Sequence, residues 1–326
     1  MNASILVYIP CHTDFSEAIN QARRLREDFT LYRNGSNPAY SELEIIISVN
    51  HFQPANNEKI RAEQLCDEVY YYGDTLLADV NISQGFMVAL QRKPALFWLL
   101  SANDSLVEGS LTRILEEFEK QPDLDLVVAN KLGISKTFFE SEILYPQPIG
   151  YHYGLISGVV YSTKRTSRYF NAAPFFPWTG WSQLAVIQNS MNGNKKLKIA
   201  TLPRELLFLM PEREFHQNAK IYSHSFLGTL IQTLVLSESH KKKKILRNFV
   251  LKNFYLHHFF SQRDAVSHEL PDLINNQHYL SWNRILAEAL IKSNTPVTYI
   301  WYITLKRIPF ENGANNRFLL ALKRRL

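Results

Sequence analysis

The run Phe97-Trp98-Leu99-Leu100 is apolar at every position and stops abruptly at Ser101-Ala102-Asn103-Asp104-Ser105. A strand that alternates in polarity has one wet face, whereas an unbroken apolar run marks a strand covered on both faces, as in α/β sheets. In open sheets of that kind, ligands collect beyond the carboxyl ends of the strands. Asn103 and Asp104 stand at such an edge and offer oxygen donors to a hard divalent cation, which as magnesium commonly bridges to phosphates. The same Asn103-Asp104-Ser105 triplet also suits a turn or a helix cap ahead of the helical pattern from Leu111 to Glu119.

The segments around this run repeat its logic. Ser4 to Ile9 reads as a first strand, and Thr13 or Asp14 can cap a helix to about Phe29, with Phe15, Ala18, Ile19, Ala22 and Leu25 on one face. A polar loop, Arg33 to Pro38, leads to a second strand at Leu43 to Val49. The loop His51 to Asn57 then precedes a helix to about Cys66 and a short strand at Glu68 to Tyr72. Asn81 to Arg92 reads as a helix leading to Pro94 and the buried strand. Asp123 to Val128 supplies another strand, and Tyr153 to Tyr161, rich in small and β-branched residues, suits a strand beside a ligand or another backbone. Strand alternating with helix predicts βαβ units and a mainly parallel sheet flanked by helices. Beyond about His224 helical patterns dominate, which places a domain boundary near residue 225, between a 1–225 domain and a helical 226–326 region.

Composition excludes several classes. A chain of 326 residues with 46% hydrophobic, 13% aromatic and 20% charged residues has the material for a large core and is not disordered. Cys11 and Cys66, the two cysteines, make neither a disulfide framework nor paired zinc spacing, so a reducing compartment is expected. The N-terminus lacks the basic start and cleavage-site pattern of a signal peptide. No stretch reaches the roughly 18 uninterrupted apolar residues of a spanning helix, which points to a cytoplasmic location. The net charge of +6 is uneven: Thr229 to Leu326 holds 15 Lys and Arg against 6 Asp and Glu, leaving the rest slightly acidic.

One strand ends in Pro10-Cys11-His12-Thr13, a second in Ser48-Val49-Asn50, Asn81 and Gly85 open a helix, and a further strand ends in Ser101-Ala102-Asn103-Asp104. This order resembles the nucleotide-sugar domain of family 2 glycosyltransferases, which have the GT-A, Rossmann-like fold. The resemblance covers about residues 3 to 210 and is strongest at 80 to 110. It looks closest to the bacterial branch that builds surface polysaccharides such as capsule and O-antigen, abequosyltransferase-like proteins included. There a Gly-x-x-Ser strand follows the metal strand, here Gly154-Leu155-Ile156-Ser157, and a Phe-Pro-rich stretch, here Phe175 to Leu184, opens a helix. The resemblance implies transfer of a sugar, with inversion, from a nucleotide-diphosphate sugar to a glycan or lipid-linked acceptor.

It also implies roles. Pro10, Cys11, His12, Asn50, Asn81, Ser101 and Asn103 would line the nucleotide, with Asp104 catalytic beside the diphosphate. Asp104 and Asn103 would hold a Mn or Mg ion, and Ser157, Trp178 and Trp181 would meet the acceptor. A cation there stabilises the negative charge that develops on the leaving phosphate. The chain departs from the family at two places. Ser101 and Asn103 stand where acids are usual, and Trp178-Thr179-Gly180-Trp181-Ser182-Gln183 has no carboxylate where a general base is usual, leaving Asp104 itself or a His such as His152 for that task. Asn50 replaces the usual Asp, and its amide can pair with a pyrimidine edge or simply serve a turn. Cys11 and His12 lack the third partner of a nucleophilic triad. The two indoles suit the apolar face of a sugar ring as well as ordinary packing.

Missing acids equally fit a degenerate member that binds a nucleotide sugar or glycan as a scaffold subunit. A nucleotidyltransferase needs a Gly-rich basic loop after the first strand, and Pro10-Cys11-His12-Thr13-Asp14 has neither Gly nor Lys. In the C-terminal third, Lys241 to Lys244, Arg247 and Lys252 interleave with apolar residues through Leu256, and the chain closes on Phe318 to Leu326. Such basic amphipathic patterns suit a peripheral contact with an anionic membrane surface or the solvated face of a helical bundle. Nucleic acid is not an expected partner, for no reader fold accompanies the basic run.

Overall fold

The computed structural model describes residues 3–12, 15–35, 38–50, 53–72, 78–130, 135–140, 156–177, 182–192, 196–209, 231–236, 242–245, 289–290, 292–297 and 299–300. The chain divides into two compact units. One comprises Met1–Glu142, Gly150–Pro177 and Ser182–Arg213, and the other Ile143–Ile149, Trp178–Trp181 and Glu214–Leu326.

The first unit is built on β1 (Ser4–Cys11), β2 (Glu42–Val49), β3 (Glu68–Tyr71), β4 (Leu96–Leu99), β5 (Leu126–Asn130), β6 (Lys136–Glu140), β7 (Val159–Ser162) and β8 (Leu197–Pro203). Its helices are α1 (Phe15–Arg33), α2 (Asn56–Leu65), α3 (Ala78–Arg92), α4 (Ser110–Lys120), α5 (Thr163–Thr166) and α6 (Ser182–Asn192). The strands form one sheet in the order β3-β2-β1-β4-β7-β5-β8-β6. β1 pairs in parallel with β2 and β4, β2 with β3, and β5 with β8. β7 runs antiparallel between β4 and β5, and β6 antiparallel to β8. The sheet is therefore mixed: β6 and β7 alone oppose the common direction, and the carboxyl ends of the other strands share one edge.

Alternation along β1 explains how helices cover both faces. Ile5, Val7, Ile9 and Cys11 join a core with Phe15, Ala18, Ile19, Ala22 and Leu25 of α1 and Leu111, Ile114, Leu115 and Phe118 of α4. The intervening Leu6 and Tyr8 are equally buried, and Tyr8 packs against α3. On that second face Phe86, Phe97, Tyr161 and Phe170 form an aromatic cluster, with Phe86 edge-on to Phe97 and Phe170 at 5.2 Å between centroids. Each such side chain, fully buried, stabilises by about 1.5–3 kcal/mol, so both faces are strongly committed.

Two features near the carboxyl edge differ from the sequence reading. The glycine-rich stretch gives a strand only at Val159–Ser162, preceded by a 3-10 turn at Ile156–Gly158, while residues 153–155 lie outside those described. The cap of α4 is also not the Asn103-Asp104-Ser105 triplet. Its N-cap is Gly109, in the left-handed region at φ 75°, and the acceptor is distant in sequence. Asp28, on α1, accepts the Gly109 and Leu111 N–H groups at 2.8 and 3.1 Å. A helix start buried without side-chain partners would leave orphan donors, and a carboxylate 81 residues away supplies the acceptors.

In the second unit the described residues at 231–236 and 242–245 are helical, with Ile231, Leu234 and Ile245 buried and Lys243 and Lys244 exposed. The other residues of the basic tracts, Lys241, Arg247 to Leu256 and Phe318 to Leu326, lie outside the described residues. Among the described residues no helix is long and apolar enough to cross a membrane.

Candidate active site

The carboxyl edge is assembled by backbone bonds that outlast the strands. Leu100 N–H donates to the Tyr8 carbonyl at 3.0 Å and Asn50 N–H to the Cys11 carbonyl at 2.9 Å, so the ends of β1, β2 and β4 stay side by side. Because β7 is antiparallel to β4, the turn that opens it, Ile156–Gly158, arrives at this same edge.

Asp104 sits in a turn closed by its own N–H on the Ser101 carbonyl at 3.2 Å. The side chain is held from across the edge, for the Ser157 hydroxyl donates to Asp104 Oδ2 at 2.6 Å. That hydroxyl oxygen in turn accepts the Ser101 N–H at 2.8 Å. Ser157 is buried, and its carbonyl accepts the Trp98 indole N–H at 2.8 Å. Asp104 and Ser101 are half-buried and Asn103 is exposed. Past this turn the chain is stitched to the segment after β8: Leu209 N–H donates to Ser105 O and Val107 N–H to Leu207 O, at 2.8 and 3.0 Å. Arg24 of α1 also donates to the Leu106 carbonyl at 2.7 Å. The loop carrying the carboxylate is thus fixed on several sides.

The β1 and β2 ends divide into residues facing outward and residues spent inside. His12 is half-buried, and its Nδ1 lies 3.3 Å from the amide nitrogen of the buried Asn50. Pro10 is buried, and Cys11 packs its thiol into the core, so only their backbone lies at the edge. Asn81 is fully buried as well. Its Oδ1 accepts from the Tyr8 hydroxyl at 2.9 Å and from Ser48, and its amide donates to the Ser48 carbonyl at 3.2 Å. Burial pushes the Tyr8 phenol far above its usual range, keeping it a donor. Asn81 thereby ties α3 to β1 and β2 beneath the edge.

Trp178 and Trp181, expected at the acceptor, lie outside the described residues, as do His152, Gly154 and Leu155. The sequence reading missed Trp98 as part of the Asp104 support. Its signal was present: a tryptophan in a wholly buried aliphatic strand must find a partner for its N–H.

Among the described residues no group of three His, Cys, Asp or Glu side chains gathers as a metal cage. The donors at the edge nevertheless suit a hard cation of the kind held by one carboxylate and completed by waters and substrate phosphates. Asp104 would supply the charge, with Asn103 and Ser101 adding neutral oxygens.

No protein-family model and no curated protein sequence matches this chain. Solved structures do. A fragment of S. aureus TarS, residues 1–349, in complex with UDP-GlcNAc is 13% identical, covering 97% of this chain and 92% of that one, with a TM-score of 0.51. A second crystal structure of the same TarS fragment is 10% identical over 94% and 88%, with a TM-score of 0.50. The fold is the α/β GT-A type. A mannosyltransferase from Pyrobaculum calidifontis, in complex with GDP-Man and Mn2+, is 11% identical over 94% and 87%, with a TM-score of 0.47.

Proposed function

We propose that this chain is a glycosyltransferase. It transfers a sugar, with inversion, from a nucleotide-diphosphate sugar to a glycan or lipid-linked acceptor in bacterial surface polysaccharide synthesis. The observation that carries the reading is the carboxyl edge of the sheet, where Asp104 is fixed by Ser157 beside the ends of β1 and β2. The likeness of the fold to that of a TarS fragment in complex with UDP-GlcNAc supports it.

In this reading the nucleotide lies over the β1 and β2 ends, where His12 and the Pro10-Cys11 backbone meet it and Asn50 backs His12. Asp104 faces the diphosphate, Asn103 and Ser101 flank it, and Trp178 and Trp181 receive the acceptor. As the bond from the anomeric carbon to the β-phosphate oxygen breaks, its electron pair leaves with the nucleoside diphosphate. The acceptor oxygen forms the new bond from the opposite face, and its proton passes to a base. A divalent cation at Asp104 supplies neutralising charge for the leaving diphosphate, an interaction that strengthens in the transition state. The charge of the C-terminal third and the exposed Lys243 and Lys244 beside buried Ile245 support a peripheral contact with an anionic membrane surface.

The test is a thermal-shift panel of UDP, GDP, dTDP and CMP compounds with and without manganese, followed by donor hydrolysis and transfer with the wild type and Asp104→Ala. A nucleotide that binds only the folded chain raises its melting temperature, and Asp104→Ala is expected to lower turnover at least about 100-fold. Failure of every nucleotide to shift the melting temperature, or turnover untouched in Asp104→Ala, overturns the proposal. Binding without turnover by the wild type assigns the chain to the scaffold role instead.

A further inference from the structure

The resemblance places Ser157 among the acceptor contacts, but the geometry gives its hydroxyl another task. A serine oxygen offers one proton and two acceptor sites. The Ser101 N–H donates to that oxygen at 2.8 Å. The proton then points across the edge to Asp104 Oδ2 at 2.6 Å, and a carboxylate oxygen can only accept it. The direction of the hydrogen bond is fixed from behind by a backbone group that cannot rotate away.

Two further contacts keep this relay in register. Trp98 in β4 donates its indole N–H to the Ser157 carbonyl, and β4 is laddered to β7 from Leu96 opposite Ser162 to Trp98 opposite Val160. Ser101 and Asp104 belong to one turn, closed by Asp104 N–H on the Ser101 carbonyl. The hydroxyl therefore bridges both ends of the turn that presents the carboxylate, and at 1% exposure it has almost no surface to offer a substrate.

We infer that Ser157 is a positioning residue: by donating to Asp104 Oδ2 while accepting from Ser101, it holds the Asp104 carboxylate in one orientation at the carboxyl edge. The inference rests on the glycosyltransferase reading only for its consequence in turnover. A reacting group misplaced by a fraction of an ångström loses much of its effect, because catalysis depends on complementarity to the transition state. Ser157 acts on the reaction only through Asp104.

The test has two arms. The first needs no activity: side-chain couplings of Asp104 are measured by NMR at a fixed pH of 7 in the wild type, Ser157→Ala and Ser157→Cys. Cysteine keeps the site filled, with a sulfur somewhat larger than the oxygen, but is a weak donor, so it separates loss of the hydrogen bond from loss of packing. A single Asp104 rotamer is expected in the wild type and averaged rotamers in both variants. A single rotamer retained in the variants overturns the inference. The second arm is a kinetic cycle of Ser157→Ala and Asp104→Asn. Ser157→Ala is expected to lower kcat by about tenfold or more, as loss of a charge-assisted hydrogen bond would, with donor and acceptor KM within about twofold. In the Asp104→Asn background the serine change is expected to do nothing further. Multiplying effects, or a raised acceptor KM, restore Ser157 to the acceptor and overturn the inference. If the wild type turns over no nucleotide sugar while the rotamer arm succeeds, the positioning stands and the transferase reading falls.

Discussion

Gly85 lies where α3 crosses β1, and replacing it with alanine should reverse sign with the identity of residue 8. A Cβ built at Gly85 would meet Tyr8 Cδ1 at 2.7 Å, Tyr8 Cγ at 3.0 Å and Leu99 Cδ1 at 3.1 Å. Leu99 can give way, since the contact is the end of a flexible side chain. Tyr8 cannot: its ring is fully buried in the middle of the sheet, and its hydroxyl is held by Asn81. Overpacking of this kind costs about 1–3 kcal/mol, against a gain of about 1 kcal/mol from exchanging glycine for alanine inside a helix. A 2.7 Å contact with a ring that cannot move belongs in the upper part of that range, about 2–3 kcal/mol, so the expected net effect is destabilisation by about 1–2 kcal/mol, or roughly a 5- to 30-fold increase in opening. In a Tyr8→Val background the ring is gone and the helix propensity remains, so Gly85→Ala should stabilise by about 0.5–1 kcal/mol. Hydrogen exchange of peptides from β1 and α3 reads both numbers without assuming that the two units unfold together. Equal effects of Gly85→Ala in the two backgrounds, agreeing within about 0.5 kcal/mol, would refute the close approach and the Asn81 linkage built on it.

Tyr161 places a buried hydroxyl among Phe86, Phe97 and Phe170, where it has no hydrogen-bond partner among the described residues. Tyr161→Phe removes the unpaired group and should stabilise the chain by about 1 kcal/mol, so a lower melting temperature in the variant contradicts the assignment. Both thiols are buried, and burial pushes that of Cys66 up to about 12. Native protein at pH 8 should resist iodoacetamide and react at both sites in denaturant, whereas fast native labelling of Cys66 would show an open edge. Burial likewise raises the Asp28 carboxyl above the usual carboxylate range, so the folded chain keeps this proton to higher pH than the unfolded chain. Its contribution therefore falls as pH rises from the unfolded value to the folded one and is constant above it. Asp28→Asn should flatten that part of a pH series of urea midpoints, and an identical slope in variant and wild type counts against the linkage.

Local chemistry made much of the first half legible. The runs ending at Ile9, Val49 and Leu100 are apolar because helices cover both faces, and Phe15 to Leu25 carries its own helical spacing, so these elements announce themselves one by one. β6 and β8 do not. Lys136–Glu140 is a short edge strand with Phe139 exposed, and Leu197–Pro203 mixes Lys and Thr into its apolar residues, so each gains strand identity chiefly from its neighbour. Nor can spacing reveal that β7 enters the sheet reversed between β4 and β5, since direction depends on where the preceding chain returns.

The site follows the same division. The sequence alone determined that an apolar strand stops just ahead of the polar turn Ser101 to Asp104, because removing both strand faces from water demands that composition and the polar residues mark where the strand gives way. Tertiary structure alone decided what each polar group does. The reversed β7 brings Ser157 53 residues across to Asp104. The crossing of α3 turns Asn81 inward onto Tyr8 and Ser48, and α1 lends Asp28 to the start of α4. Buried polar groups must find partners wherever the fold supplies them, and those partners are neighbours in space that no local pattern encodes.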